Sequence, residues 1–162
     1  MATTADIKNG SVIIHTSKRM KIVEFQHVKP GKGGAFVRTK LKDIKSGKTI
    51  DETFNAGHKI EFIRVEAKPM QYLYLDKESF VFMDNENFEQ LHIDSKLIGD
   101  TKNFLIPGLD VDLLFDGDEI LNVRLPSHVV LEITDTEPGY KGNTATGASK
   151  PAVLETGLKF NV

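Results

Sequence analysis

Cysteine and tryptophan are both missing from the 162 residues. Without cysteine there is no disulfide framework, no thiolate zinc site and no cysteine nucleophile. That usage suits a reducing compartment. No window approaches the roughly 18 apolar residues of a membrane-spanning helix. The opening Met1-Ala-Thr-Thr-Ala-Asp6 lacks the basic start and apolar run of a secretory signal. The expected location is therefore the cytoplasm, with no membrane partner. Helical periodicity is scarce too: no segment of ten or more residues repeats with a 3.6 period, which weighs against a βαβ fold.

What is present is an uneven distribution of charge. The formal net charge is only −2. Up to Arg64, however, thirteen Lys and Arg face six Asp and Glu, whereas residues 65–127 carry five basic and thirteen acidic groups. Residues 128–162 are nearly balanced, at three against four. Screening acts over about 8 Å at physiological salt, so a polyanion beside the first block feels mostly that block. This pattern reads as a basic module tethered to an acidic one, approached by nucleic acid from one end.

Almost every periodic segment reads as strand. The first set is Val12–Ile14, Met20–Val28, Ala35–Leu41 and Thr49–Phe54, broken at Asn9-Gly10, Pro30-Gly31, Ser46-Gly47 and Asn55-Ala-Gly57. The second is Ile60–Val65, Tyr72–Leu75, Phe80–Met83, Phe88–Ile93, Val111–Phe115 and Ile120–Leu125. Asp116-Gly-Asp118 predicts a type I′ hairpin, and Asp94–Gly99 predicts one helical turn. Tyr72, Tyr74, Phe80 and Phe82 alternate as a strand face and are expected in a core. Short strands at this spacing predict small barrels or sandwiches. Composition shifts divide the chain into 1–64, 65–127 and 128–162. A strand over His128–Thr134 is followed by a Gly/Thr/Ala-rich loop to Ser149. A last apolar alternation, Leu158–Val162, stops at the final residue, so the chain is expected to end within a third domain.

The densest special segment is Lys29-Pro-Gly-Lys-Gly-Gly-Ala-Phe36. Pro30 fixes φ near −65°, while Gly31, Gly33 and Gly34 permit positive φ. The expected result is a narrow hairpin tip carrying one long cation, Lys32, into a cleft or into the active site of a modifying enzyme. A plain surface hairpin fits the spacing equally well. Other motifs are weaker. Gly31-Lys32-Gly33 is no Walker loop, because the spaced glycine, the following Ser/Thr and the helix are all missing. Asp110, Asp112, Asp116, Asp118 and Glu119 lack the pattern of a calcium loop. His15, His27, His58, His92 and His128 are scattered without an i,i+4 pair, so no metal or cofactor is expected.

The loop Lys29–Phe36 resembles the domain-one loop of the bacterial translation elongation factor P family. The resemblance continues through Tyr72-Leu-Tyr74, Met83-Asp-Asn-Glu-Asn-Phe-Glu-Gln90 and Leu131-Glu-Ile-Thr-Asp-Thr-Glu-Pro-Gly139. It ends in Lys141-Gly-Asn-Thr144 and Lys150-Pro-Ala-Val-Leu-Glu-Thr-Gly157. It implies an all-β protein with an SH3-like (KOW-type) N-terminal barrel over 1–64, an OB-fold over 65–127 and an incomplete second OB-fold over 128–162. It further implies a non-enzymatic factor that binds the ribosome between the P and E sites and relieves stalling at consecutive prolines. The partners implied are ribosomal RNA and the acceptor end of the P-site tRNA. Lys32 would be the lysine reaching that end, often extended by a modifying enzyme. Pro30, Gly31, Gly33 and Gly34 would admit the loop, and Lys29 and Arg38 would touch phosphate. Three alternatives stand beside this: a two-domain hypusine-bearing relative, an unrelated nucleic-acid-binding β-barrel, and a metal-dependent enzyme using the acidic block.

Overall fold

Alternation along one strand explains most of the first sheet. In Phe36–Asp43, Val37, Thr39, Leu41 and Asp43 are buried while Arg38 and Lys42 face solvent, the two-residue period of a half-buried strand. The computed structural model describes residues 2–138 and 149–162. The expected matches at Gly139 and Lys141–Thr144, with most of the Gly/Thr/Ala-rich loop, lie outside them. Thirteen strands and one four-residue α-helix, Ser95–Ile98, make these residues all-β. The strands fall in two compact units, Met1–Ala67 with Leu114–Asn122, and Lys68–Leu113 with Val123–Val162.

The first unit contains β1 (Val12–His15), β2 (Lys18–Val28), β3 (Phe36–Asp43), β4 (Thr49–Asn55) and β5 (Glu61–Ile63), ordered β4-β3-β2-β1-β5. Ile13, Met20, Ile22, Val37, Leu41 and Phe54 share one buried cluster, against which Phe62 of β5 also packs. Strands at opposite edges thus meet on one core, so the sheet curls into a half-barrel. Each fully buried aliphatic side chain in it contributes about 1.5–3 kcal/mol. The β2–β3 register slips between Ile22 and Glu24. This bulge leaves Val23 38% exposed and turns Phe25 back toward the core.

In the second sheet β6 (Glu66–Asp76), β7 (Ser79–Asp84), β8 (Gln90–Asp94), β9 (Asp110–Asp116) and β10 (Glu119–Arg124) run in the order β10-β9-β6-β7-β8. Tyr72, Phe80 and Phe82 are buried as expected, with the Phe80 and Phe82 ring centroids 5.7 and 5.5 Å from that of Tyr72. Tyr74 is not: a register shift between Tyr72 and Tyr74 reverses the alternation and leaves it 48% exposed. Phe88 also departs from expectation, lying in the β7–β8 turn at φ +61° instead of in a strand. The helical turn after Asp94 is present as α1 (Ser95–Ile98), with the Asp94 carboxylate accepting from Lys96 N–H at 2.7 Å.

The turn expected to be type I′ is a two-residue loop, Gly117-Asp118, in which Gly117 alone has positive φ (+60°). That is the type II′ pattern, with glycine at the first central position. The residues with two successive positive φ values are Thr16 (+48°) and Ser17 (+61°), between β1 and β2. In the C-terminal part, β11 (Ile133–Thr136), β12 (Pro151–Leu154) and β13 (Lys159–Asn161) form a three-stranded sheet. The strand expected over His128–Thr134 begins only at Ile133; the residues before it have no ladder partner, and Val130 is 87% exposed. Pro151 takes the first position of β12, where a missing N–H is tolerated.

Asp43 organises the turn after β3. Its carboxylate accepts from the Ser46 hydroxyl at 2.8 Å and from the Lys45 N–H at 2.9 Å, with the Lys18 ammonium 4.0 Å away. Burial alone would raise its pKa, but the Ser46 and Lys45 hydrogen bonds and the Lys18 charge hold it below the ordinary 3.8. A depressed carboxylate contributes stability that is complete above its unfolded pKa and lost as pH falls through the folded one. Asp43→Asn should therefore cost about 1–2 kcal/mol in urea unfolding at pH 7 and progressively less below pH 4. An equal cost at pH 7 and pH 3 would contradict this role.

Candidate nucleic-acid interface

The lysine loop is clamped at its base by strand pairing. Val28 of β2 lies opposite Phe36 of β3, so residues 29–35 leave and return at adjacent ladder positions. All are exposed except Ala35. Gly33 takes φ +106°, a conformation L side chains rarely adopt, and a Cβ there would meet only Pro30 Cγ at 4.0 Å. Its glycine is thus required by backbone conformation, whereas space alone would admit a side chain. Gly31 and Gly34 differ from expectation, because neither occupies positive φ and both face open space.

Lys32 and Lys29 are fully on the solvent side and make no ion pair or hydrogen bond with the described residues. Arg38 stands on the outer face of β3 with its guanidinium 5.5 Å from the Phe36 ring centroid. Its register neighbours are Gln26 and Thr53, both uncharged. Lys40, two residues on, lies between Glu24 and Asp51 and pairs with Glu24 at 3.4 Å. The ladder therefore leaves Arg38 uncompensated and neutralises Lys40. A further pair was not foreseen: Lys21 and Lys42 sit directly opposite each other, both exposed. Like charges in register repel unless an anion lies between them. The signal was there only in the pairing register, which the sequence does not state.

Other cations of the basic block are committed internally. The Arg19 guanidinium holds Asp116 and Glu119 at 2.6 Å each, and the Lys45 ammonium holds Glu119 at 2.9 Å. The hydrogen bond to Asp116, against some desolvation, raises the Arg19 pKa; the Lys45 hydrogen bond lowers that of Glu119. Asn122 donates to the Ile44 carbonyl at 2.7 Å. The acidic hairpin tip 114–122 groups with the first compact unit, while its strands β9 and β10 belong to the second sheet. Among the described residues of this block, Lys21, Lys29, Lys32, Arg38 and Lys42 on the loop, β2 and β3 make no ion pair, and neither do Lys8, Lys48 and Lys59 elsewhere.

Family models match along the length of the chain. The Elongation factor P KOW-like domain matches residues 3–60, the Elongation factor P OB domain 65–123, and the Elongation factor P C-terminal model 129–162. The chain belongs to the elongation factor P family. As a member it is a translation elongation factor and not an enzyme. Elongation factor P from Clavibacter michiganensis is 52% identical over 162 residues, covering 100% of this chain and 87% of the relative. The Streptomyces coelicolor protein of the same name is 52% identical over 163 residues with the same coverage. Among solved structures, translation initiation factor 5A from Methanococcus jannaschii aligns with a TM-score of 0.57 at 20% identity, covering 80% of this chain and 92% of that one. A translation initiation factor eIF-5A family protein from Naegleria fowleri gives 0.61 at 18%, covering 76% and 96%. At these identities the structures attest the β fold alone. For an elongation factor, the free cations become candidate contacts to RNA phosphate.

The register makes a differential prediction. In salt titrations of binding to purified ribosomes, Lys29→Ala and Arg38→Gln should each lower the log–log slope by about 0.7–0.9. Lys40→Ala, already neutralised, should leave the slope unchanged. Equal effects at all three positions would contradict the assignment.

Proposed function

We propose that this elongation factor binds the ribosome between the P and E sites and places Lys32 against the acceptor end of the P-site tRNA. The observation that carries this reading is an exposed ammonium without a carboxylate partner among the described residues, on a glycine-containing loop whose base is fixed by the β2–β3 ladder. Its site of action is the cytoplasm, where translating ribosomes are. Lys29 and Arg38 contact phosphate and orient the loop, while Pro30, Gly31, Gly33 and Gly34 keep it slim enough to approach RNA.

The chemistry is positioning. Proline is a constrained substrate for peptide transfer, because its ring fixes φ and restricts its neighbour. A cation bracing the tRNA end holds ester and amine closer to attack geometry. Orientation in model reactions recovers up to about 7–11 kcal/mol, so about 1–2 kcal/mol from a braced tRNA is a modest demand. That corresponds to about a tenfold gain in rate. Covalent extension of Lys32 by a modifying enzyme would lengthen its reach without altering this logic, and the exposed loop leaves room for such an enzyme.

Lys32→Ala should slow synthesis through a run of three prolines by about tenfold in a reconstituted translation assay. The melting temperature should stay within about 1 °C, since the side chain packs on nothing. Undiminished synthesis through the prolines with Lys32→Ala would refute the role.

A further inference from the structure

The outer face of the first sheet holds a row of donors without acceptors. β2, β3 and β4 bring Gln26, Arg38 and Thr53 directly opposite one another, so the three share one face of the sheet. All are exposed, and all line one groove of about 710 Å³. The amide, the guanidinium and the hydroxyl can each donate, and none is hydrogen-bonded to another described residue. Neighbouring strands lie about 4.8 Å apart, so each flanking donor reaches an anion held at the central guanidinium. The guanidinium is itself steadied, its carbon standing 5.5 Å from the centroid of the Phe36 ring on the same face. Stacking on a ring leaves the edge N–H groups free for a bidentate acceptor.

The neighbouring rows say which acceptor, and where. On the side away from the loop stand Glu24, Lys40 and Asp51, which also line the groove. That row sets two carboxylates against one ammonium, and Lys40 already holds Glu24 at 3.4 Å. The groove's other acid, Glu52, is half-buried, with its carboxylate 3.5 Å from His15 Nε2. An anion is repelled from the Glu24–Asp51 row and left with the Arg38 row. On the loop side, Val28, Phe36 and Asn55 are uncharged. Cations stand beyond both neighbours: Lys29 and Lys32 past the uncharged row, Lys21 and Lys42 past the acidic one. A chain of phosphates meets positive charge at intervals along this face, whereas a lone protein carboxylate makes no use of the spacing.

We propose that Gln26, Arg38 and Thr53 together seat one phosphate group of RNA, with the Phe36 ring as the platform that holds the guanidinium in place. This rests on the ribosome-binding reading above and deepens it: Arg38 alone supplies charge, and the two uncharged neighbours fix where that charge is used.

The test uses the full chain and purified ribosomes carrying P-site tRNA. Gln26→Leu and Thr53→Val should each weaken binding by about fivefold, the loss of one hydrogen bond to a charged group. Neither removes a charge, so the log–log salt slope should not change. Gln26→Glu sets a carboxylate beside Arg38 and should lower the slope by about 0.7–0.9, as far as Arg38→Gln does. All three variants should melt within about 2 °C of the unsubstituted chain, because these side chains are exposed and unbonded. With a photoreactive diazirine amino acid in place of the adjoining Asn55, irradiation should yield an adduct to RNA. Undiminished binding by Gln26→Leu and Thr53→Val, an unchanged slope for Gln26→Glu, or an adduct to ribosomal protein would each overturn the proposal. If the unsubstituted chain fails to bind ribosomes, the earlier reading falls with it. If it binds and Arg38→Gln lowers the slope while the Gln26 and Thr53 variants behave as the unsubstituted chain, the phosphate seat alone falls.

Discussion

The ladder between β2 and β3 closes Val28 against Phe36 and makes the seven residues between them a tip with a fixed base. The interface depends on that constraint. The same register decides which cations stay available, because it seats Lys40 between two carboxylates and Arg38 between two uncharged residues. A one-residue slip would exchange these neighbours and carry Arg38 to the core face. The hydrophobic cluster holding Val37 and Leu41 inward is therefore also what keeps Arg38 outward.

Charge is apportioned by the same means. The acidic hairpin tip takes up Arg19 and Lys45, two cations that would otherwise add to the basic field. The buried Asp43 takes part of the charge of Lys18. What remains includes a smaller set on the loop and the outer face of two strands. A factor that approaches RNA with a few positioned cations gains orientation, which a diffuse basic surface does not supply.

Much of this was legible in the sequence because strands announce themselves by alternation and turns by glycine. Tyr72, Phe80 and Phe82 were identifiable as core, Ala35–Leu41 as a strand, and the Lys32 loop as the special hairpin. What escaped was information held between strands. Bulges at Val23 and after Tyr72 reverse alternation without any local signal, so Tyr74 was expected inside and lies outside. The Thr16-Ser17 turn contains no residue that favours positive φ, and Phe88 sits where glycine would be predicted. The Lys21–Lys42 opposition and the capture of Arg19 by the hairpin tip come from pairings about 20 and 100 residues apart in the chain. Such long-range pairings carry no signature in local composition.

The first unit carries an exposed cation on a loop whose base is fixed by strand pairing. The most direct measurement is a cryo-electron-microscopy structure of the chain on a ribosome stalled at consecutive prolines. The account predicts the Lys32 side chain within contact distance of the acceptor end of the P-site tRNA, with Gly33 still at positive φ. A bound factor whose Lys32 loop points into solvent, or lies against protein with the tRNA end untouched, would contradict it.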